Sequence, residues 1–151
     1  MEIKLIEQTA QPTIFVRVRT SVDKLTEVFD ANFTTLMDYM SKMGTQPVSG
    51  PYAAYYNHDM QDLDVEIGFP VASILPEEGE IKTGEISASE KTVQGIHKGS
   101  YSTLNQTYEH IYQYIAEHKL EQTGPHYDFY INNPDDTQED ELLTKIVIAV
   151  K

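Results

Sequence analysis

The sequence predicts an α+β fold built from two strand–helix–strand–strand repeats. Three observations carry this. One apolar helical stripe occurs twice, 75 residues apart: Phe29, Phe33, Leu36, Met37 and Met40, then Leu104, Tyr108, Ile111, Tyr112 and Ile115. Both sets fall at i, i+4, i+7, i+8 and i+11, one face of a helix. Each stripe is followed by Gly-Pro and an aromatic run. Each is also preceded and closed by segments rich in strand-forming residues.

In chain order, Met1 to Gln8 reads as a framing strand, with Ile3 and Leu5 alternating with polar residues. Thr13 to Val18 is the strand before the first helix. After the helix, Gly50-Pro51 marks a turn, and Tyr52-Ala53-Ala54-Tyr55-Tyr56 is the next strand. Asn57-His58-Asp59 is a polar turn, and Asp64 to Val71 closes the first repeat. Pro76-Glu77-Glu78-Gly79 joins the halves, and Lys82 to Ser89 is a second, weakly alternating framing strand. Thr92 to His97 precedes the second helix, whose start Ser100 caps. Gly124-Pro125 then leads into His126-Tyr127-Asp128-Phe129-Tyr130, a polar turn over Asn132 to Asp136, and the last strand, Leu143 to Val150.

Neither half is large enough to bury a core well by itself. The expectation is one domain over residues 1–151, with repeats at about 1–75 and 80–151 and pseudo-twofold symmetry. Both helices are expected on one face of an antiparallel sheet, leaving a ligand groove between the halves. Strand alternation separates Val65, Ile67 and Phe69 from Glu66 and Gly68, and Tyr55 from Ala54 and Tyr56. It likewise separates Tyr127, Phe129 and Ile131, expected toward the helix, from His126, Asp128 and Tyr130, expected in the groove.

Composition excludes several classes. The 151 residues contain no cysteine, which removes disulfides, thiol catalysis and Cys-ligated metal. Eleven Lys and Arg against 24 Asp and Glu give a net charge of −13, which disfavours direct binding to nucleic acid or anionic membranes. No apolar run approaches the roughly 20 residues of a membrane span, and the first residues lack a signal-peptide stretch. A cytoplasmic location is the expectation.

In the order Tyr56-Asn57-His58-Asp59, Asp64 to Val71, His97 to Leu104 and Gly124 to Pro134, the chain resembles the GyrI-like family, also called the AraC-type effector-binding domain. The resemblance covers essentially the whole chain. It implies a small-molecule-binding fold of two strand–helix–strand–strand repeats, found behind DNA-binding domains in drug-sensing regulators and also alone. Stand-alone relatives include the DNA gyrase inhibitor, drug-binding proteins and hydrolases of cyclopropane-bearing toxins. The family carries a buried acid, usually Glu, two positions before a Tyr in the strand after Gly-Pro. Asp128, followed by Tyr130, stands there and is one methylene shorter. Glu66 matches the acid before the Gly-x-Pro-Val segment, and Tyr101 the aromatic at the second helix start. With no Trp, aromatic contacts fall to the ten Tyr and five Phe.

The ligand-binding candidates are therefore Tyr56, Glu66, Tyr101, Asp128 and Tyr130. Asp128 is either a groove carboxylate that attracts a lipophilic cation, with Tyr faces adding about 0.5–2 kcal/mol each, or a strand-end acid bonded to backbone amides. Glu66 is either a second groove wall or a cross-strand partner of Arg17, Arg19 or Lys145. Tyr108 and Tyr112 lie on the helical stripe and read as core, as do Tyr55 and Tyr127. The five histidines, His58, His97, His110, His118 and His126, form no metal-binding pair, and no cofactor signature is present. The acidic run Asp135 to Glu141 lacks the glycine and alternating ligands of a calcium loop.

Three functional classes follow. The first is a binding module that senses or sequesters a hydrophobic, cationic small molecule. The second is a hydrolase of a small toxic compound, with Glu66 or Asp128 activating water and Tyr101 or Tyr130 as acid. The third is a protein-binding role resembling that of the gyrase inhibitor, with the acidic surface meeting a basic partner.

Overall fold

The computed structural model describes residues 3–151. Met1 and Glu2, the first two residues of the expected framing strand, lie outside the described residues. The strands are β1 (Ile3–Gln8), β2 (Gln11–Thr20), β3 (Tyr52–Tyr55), β4 (Leu63–Pro70), β5 (Lys82–Ile86), β6 (Ser89–Lys98), β7 (Gln122–Tyr130) and β8 (Leu143–Val150). The helices are α1 (Leu25–Lys42) and α2 (Leu104–Glu117). The class is α+β, and strand–helix–strand–strand occurs twice, as β2-α1-β3-β4 and β6-α2-β7-β8. Among the described residues no helix is long and apolar enough to cross a membrane.

The chain forms two compact units, residues 10–87 and residues 1–9 with 88–151. In the 10–87 unit the strand order is β3-β4-β2-β5; in the 88–151 unit it is β1-β6-β8-β7. All the pairings within each unit are antiparallel. The sequence repeat and the spatial unit thus differ by one strand. β1 pairs with β6, and β5 pairs with β2. The local chemistry explains why neither framing strand folds back on the strand that follows it. Only Thr9-Ala10 separates β1 from β2, and only Ser87-Ala88 separates β5 from β6. A two-residue hairpin demands positive φ, which Gly or Asn supplies and these pairs do not.

Each helix covers one face of its own unit. In the 10–87 unit Phe33 meets Phe69 edge-on at 5.6 Å, and Leu36 and Met40 are buried with Ile14, Val16, Val65 and Ile67. Met37, on the expected apolar stripe, is instead exposed. In the 88–151 unit Ile111 and Ile115 pack on Val93, Ile146, Ile148 and Val150. The start of α2 is fixed by polar contacts. Ser100 Oγ accepts from the Ser102 amide at 3.2 Å, and the buried His97 bonds Thr107 at 2.6 Å through Nδ1. His97 Nε2 also lies 3.0 Å from the Ser100 carbonyl oxygen.

Candidate functional site

The two units hold different polar chemistry, and register explains the difference. In the 10–87 unit β4 turns Val65, Ile67 and Phe69 toward α1, as alternation predicts. Glu66 then points to the opposite face, beside Ala54 on β3 and Arg17 on β2. Tyr52, Ala54 and Tyr56 share that face. Tyr52 Oη donates to Glu66 Oε2 at 2.6 Å, and Tyr56 Oη donates to Oε1 at 2.9 Å. Each carboxylate oxygen therefore accepts from a different tyrosine. Glu66 is 8% exposed and Tyr52 fully buried, whereas Tyr56 is 39% exposed.

Two details build this cluster. Gly68, paired with Tyr52, lets the ring lie against the strand. A Cβ there would sit 2.4 Å from the Ile14 carbonyl oxygen and 2.9 Å from Tyr52 Cε1. On the far side, the Arg17 guanidinium lies over the Tyr56 ring, 3.8 Å from its centroid. Arg17 is the register partner of Glu66, yet its Nε and Nη2 donate to Asp64 Oδ1 and Oδ2, both at 2.8 Å. This fork holds the Asp64 carboxyl below its ordinary pKa and, with the nearby anions, raises that of Arg17.

In the 88–151 unit the expected faces of β7 are reversed. Asp128 pairs with Ile146 and His126 with Ile148, and both isoleucines pack beneath α2. His126 and Asp128 therefore point at the helix, and Tyr127 points away from it. Gly124-Pro125 is the cause. It lies inside β7, at the register irregularity between Gln122 and His126, rather than in a turn before the strand. Proline cannot donate to the ladder, so the strand is offset there. Asp128 then occupies the place of Ala53, not Ala54, and a one-residue offset exchanges the faces.

Asp128 is 1% exposed. Its Oδ2 accepts from the Tyr108 hydroxyl on α2, and its Oδ1 accepts no hydrogen bond among the described residues. His126 Nε2 is 3.9 Å from that second oxygen, and the His126 ring lies 5.0 Å from that of Tyr108. Burial pushes the Asp128 carboxyl up to about 7, against the opposing pull of the Tyr108 bond. On the face away from α2, Tyr127 and Phe129 stack at 5.9 Å and Lys145 Nζ lies 4.9 Å from the Phe129 centroid.

Of the five candidates, Tyr56 and Glu66 are in direct contact. Tyr101 and Tyr130 meet edge to face at 5.7 Å. Asp128 is sealed beneath α2 in its own unit. Tyr101 also lines an open surface cleft of about 370 Å³ with Ser100, Pro134, Thr137, Glu139 and Leu142. No group of three or more His, Cys, Asp or Glu suited to a metal ion occurs among the described residues. Three residues outside the candidate set complete these arrangements. Tyr52 carried a signal, since it alternates with Tyr56 at period two. Tyr108 was legible only as core, because the helical stripe does not say which strand residue it will meet. Arg17 was legible as a partner of Glu66 but not as a cation stacked on Tyr56.

The comparisons agree with this fold. The family model "GyrI-like small molecule binding domain" matches residues 1–151. The chain belongs to this family. Among curated proteins no sequence match is found. The fold is similar to that of EcmrR in its complex with DNA, with a TM-score of 0.88 and 20% identity over 99% of this chain. This chain spans 57% of that protein's length. The separately solved EcmrR C-terminal domain is similar at a TM-score of 0.79 and 20% identity, covering 99% of this chain and 97% of that domain. SAV2435 bound to tetraphenylphosphonium is similar at 0.65 and 13% identity, covering 100% of this chain and 94% of that one.

Proposed function

We propose that this chain binds a hydrophobic organic cation, with Glu66 as its counter-charge and Tyr52 and Tyr56 as its aromatic walls, and so senses or sequesters a drug or toxin. The carrying observation is the pair of tyrosine hydroxyls that donate to the two oxygens of one carboxylate. That arrangement sets two aromatic rings beside one largely buried anion, at whose rim Tyr56 is exposed. A cation against a Tyr face gains about 0.5–2 kcal/mol, more as water is excluded. Membership of a small-molecule-binding family supports the reading, as does the tetraphenylphosphonium bound to SAV2435.

Calorimetric titration with tetraphenylphosphonium and with neutral triphenylphosphine oxide tests it, on wild type, Glu66→Gln and Asp128→Asn. Wild type is expected to prefer the cation, and Glu66→Gln to lose that preference. Loss in Asp128→Asn with retention in Glu66→Gln would move the counter-charge beneath α2 and require that helix to shift. Equal affinity for cation and neutral compound in wild type would end the electrostatic reading.

A further inference from the structure

Resting on the Glu66 reading, we propose that Arg17 is a specificity-determining residue: an internal cation that occupies the Tyr56 ring face a ligand cation would take. The geometry makes this an occupied place rather than a chance contact. Arg17 and Glu66 are register partners on adjacent strands, so their side chains leave the same face together. The shortest course for the guanidinium would be an ion pair with Glu66. It is instead drawn along the strand by a bidentate bond to Asp64, 2.8 Å at each contact. Its carbon then lies 3.8 Å from the Tyr56 centroid, on a ring whose hydroxyl is committed to Glu66.

Asp64 therefore does two things at once. It engages Nε and Nη2 of Arg17, so the guanidinium acts on Glu66 through space rather than by the fork it makes with Asp64. It also holds a positive charge over the more exposed tyrosine of the pair. Arg19 reinforces the arrangement. It binds Asp62 at 3.2 and 2.7 Å and places another nitrogen 3.6 Å from Asp64 Oδ2, so Asp64 is shared by two cations. A small cation gains little from displacing Arg17, because it would replace one cation–π contact with another. A bulky cation that also fills apolar surface gains enough to compete. Arg17 thus sets a threshold that selects ligands with a large hydrophobic body around the charge.

The test compares wild type with Arg17→Met, which keeps an unbranched apolar stem and removes the charge, and with Arg17→Gln as a second variant, each first checked for cooperative unfolding. The probes are tetramethylammonium, tetraphenylphosphonium and triphenylphosphine oxide. Removing Arg17 is expected to tighten both cations by roughly 3- to 30-fold, the range of one cation–π contact, with the larger gain for tetramethylammonium and no change for the neutral compound. Asp64→Asn is expected to do the reverse, since a freed Arg17 turns to Glu66. Equal tightening of neutral and cationic probes would reduce Arg17 to a steric plug and overturn the proposal. So would unchanged cation affinity in both Arg17 variants while Glu66→Gln abolishes binding, and that result would leave the Glu66 reading standing. No cation preference in wild type would remove both.

Discussion

The two repeats place opposite charges at one register position. In the 10–87 unit, β4 sets Glu66 between Ala54 and Arg17. In the 88–151 unit, β8 sets Lys145 between Phe129 and Ile96. On the helix-covered face the contrast inverts. The 10–87 unit is apolar there, with Ala53 on the strand and Phe33 on the helix. The 88–151 unit has Asp128 and Tyr108 at the equivalent places, joined by a hydrogen bond. Among the described residues each unit therefore carries a tyrosine-bonded carboxylate, but on opposite faces of its sheet. Backbone pairing fixes where a side chain points; it leaves open what that side chain carries, and the repeats have used the freedom differently.

The largest effect expected from this contrast lies at Asp128. Its ordinary pKa is about 3.9 in an unfolded chain, and in the folded protein burial lifts it to about 7. Between those values the folded state binds more protons than the unfolded one. Stability from this group is therefore complete below about pH 4 and is lost as pH rises through about 7. The full difference is of the order of 4 kcal/mol at most. Asp128→Asn should flatten the profile and be more stable than wild type at pH 8, as read from denaturation midpoints across pH 4–8. Tyr108→Phe should carry the fall on to higher pH, because the lost bond favours the charged form and without it the carboxyl is pushed up further, costing about 1–3 kcal/mol at pH 8. A profile in Asp128→Asn as steep as that of wild type would show that another group governs it.

The element order was legible because hydrophobic periodicity is local. The stripes at Phe29 to Met40 and Leu104 to Ile115 need only residues within one helix, and α1 and α2 cover both. The strand exchange was not legible, because pairing partners are chosen across the chain and the β1 pattern does not name β6. The Tyr56–Glu66 contact was half legible: alternation put both on the face away from α1, and the hydroxyl-to-carboxylate bond follows once β3 and β4 pair. Asp128 was misplaced for a physical reason. Gly-Pro reads as a turn in both repeats, but only Pro51 precedes its strand, while Pro125 lies within one. A single residue of offset is invisible in composition and decisive in a strand.

The next effect down tests how Tyr52 is held. Tyr52 pairs with Gly68, and the equivalent pair in the other unit is Tyr127 with Val147. The first tyrosine lies against the strand because Gly68 has no side chain; the second faces a buried valine. Gly68→Ala puts a methyl 2.4 Å from a backbone oxygen and 2.9 Å from the Tyr52 ring. Overpacking of this kind costs about 1–3 kcal/mol. Because the ring must shift, Tyr52 should also lose its bond to Glu66, and tetraphenylphosphonium affinity should fall with stability. Val147→Ala, by contrast, removes methyl groups and should destabilise without touching cation affinity. Parallel loss of affinity in both variants would mean that binding merely follows stability.

The smallest expected effect concerns Lys145. Its ammonium lies 4.9 Å from the Phe129 centroid, farther than Arg17 lies from Tyr56 at 3.8 Å, and among the described residues no carboxylate fork fixes it there. A loosely held ammonium over a partly exposed ring is worth about 0.5–1 kcal/mol, and the Tyr127–Phe129 stack persists without it. Lys145→Met should therefore move the denaturation midpoint by less than the Gly68 variant does. A loss above about 2 kcal/mol would mean that Lys145 is held by more than this ring. The difference between the two cations is then one of anchoring: Arg17 is pinned by Asp64 and so can compete with a ligand, whereas Lys145 has only the longer contact with its ring among the described residues.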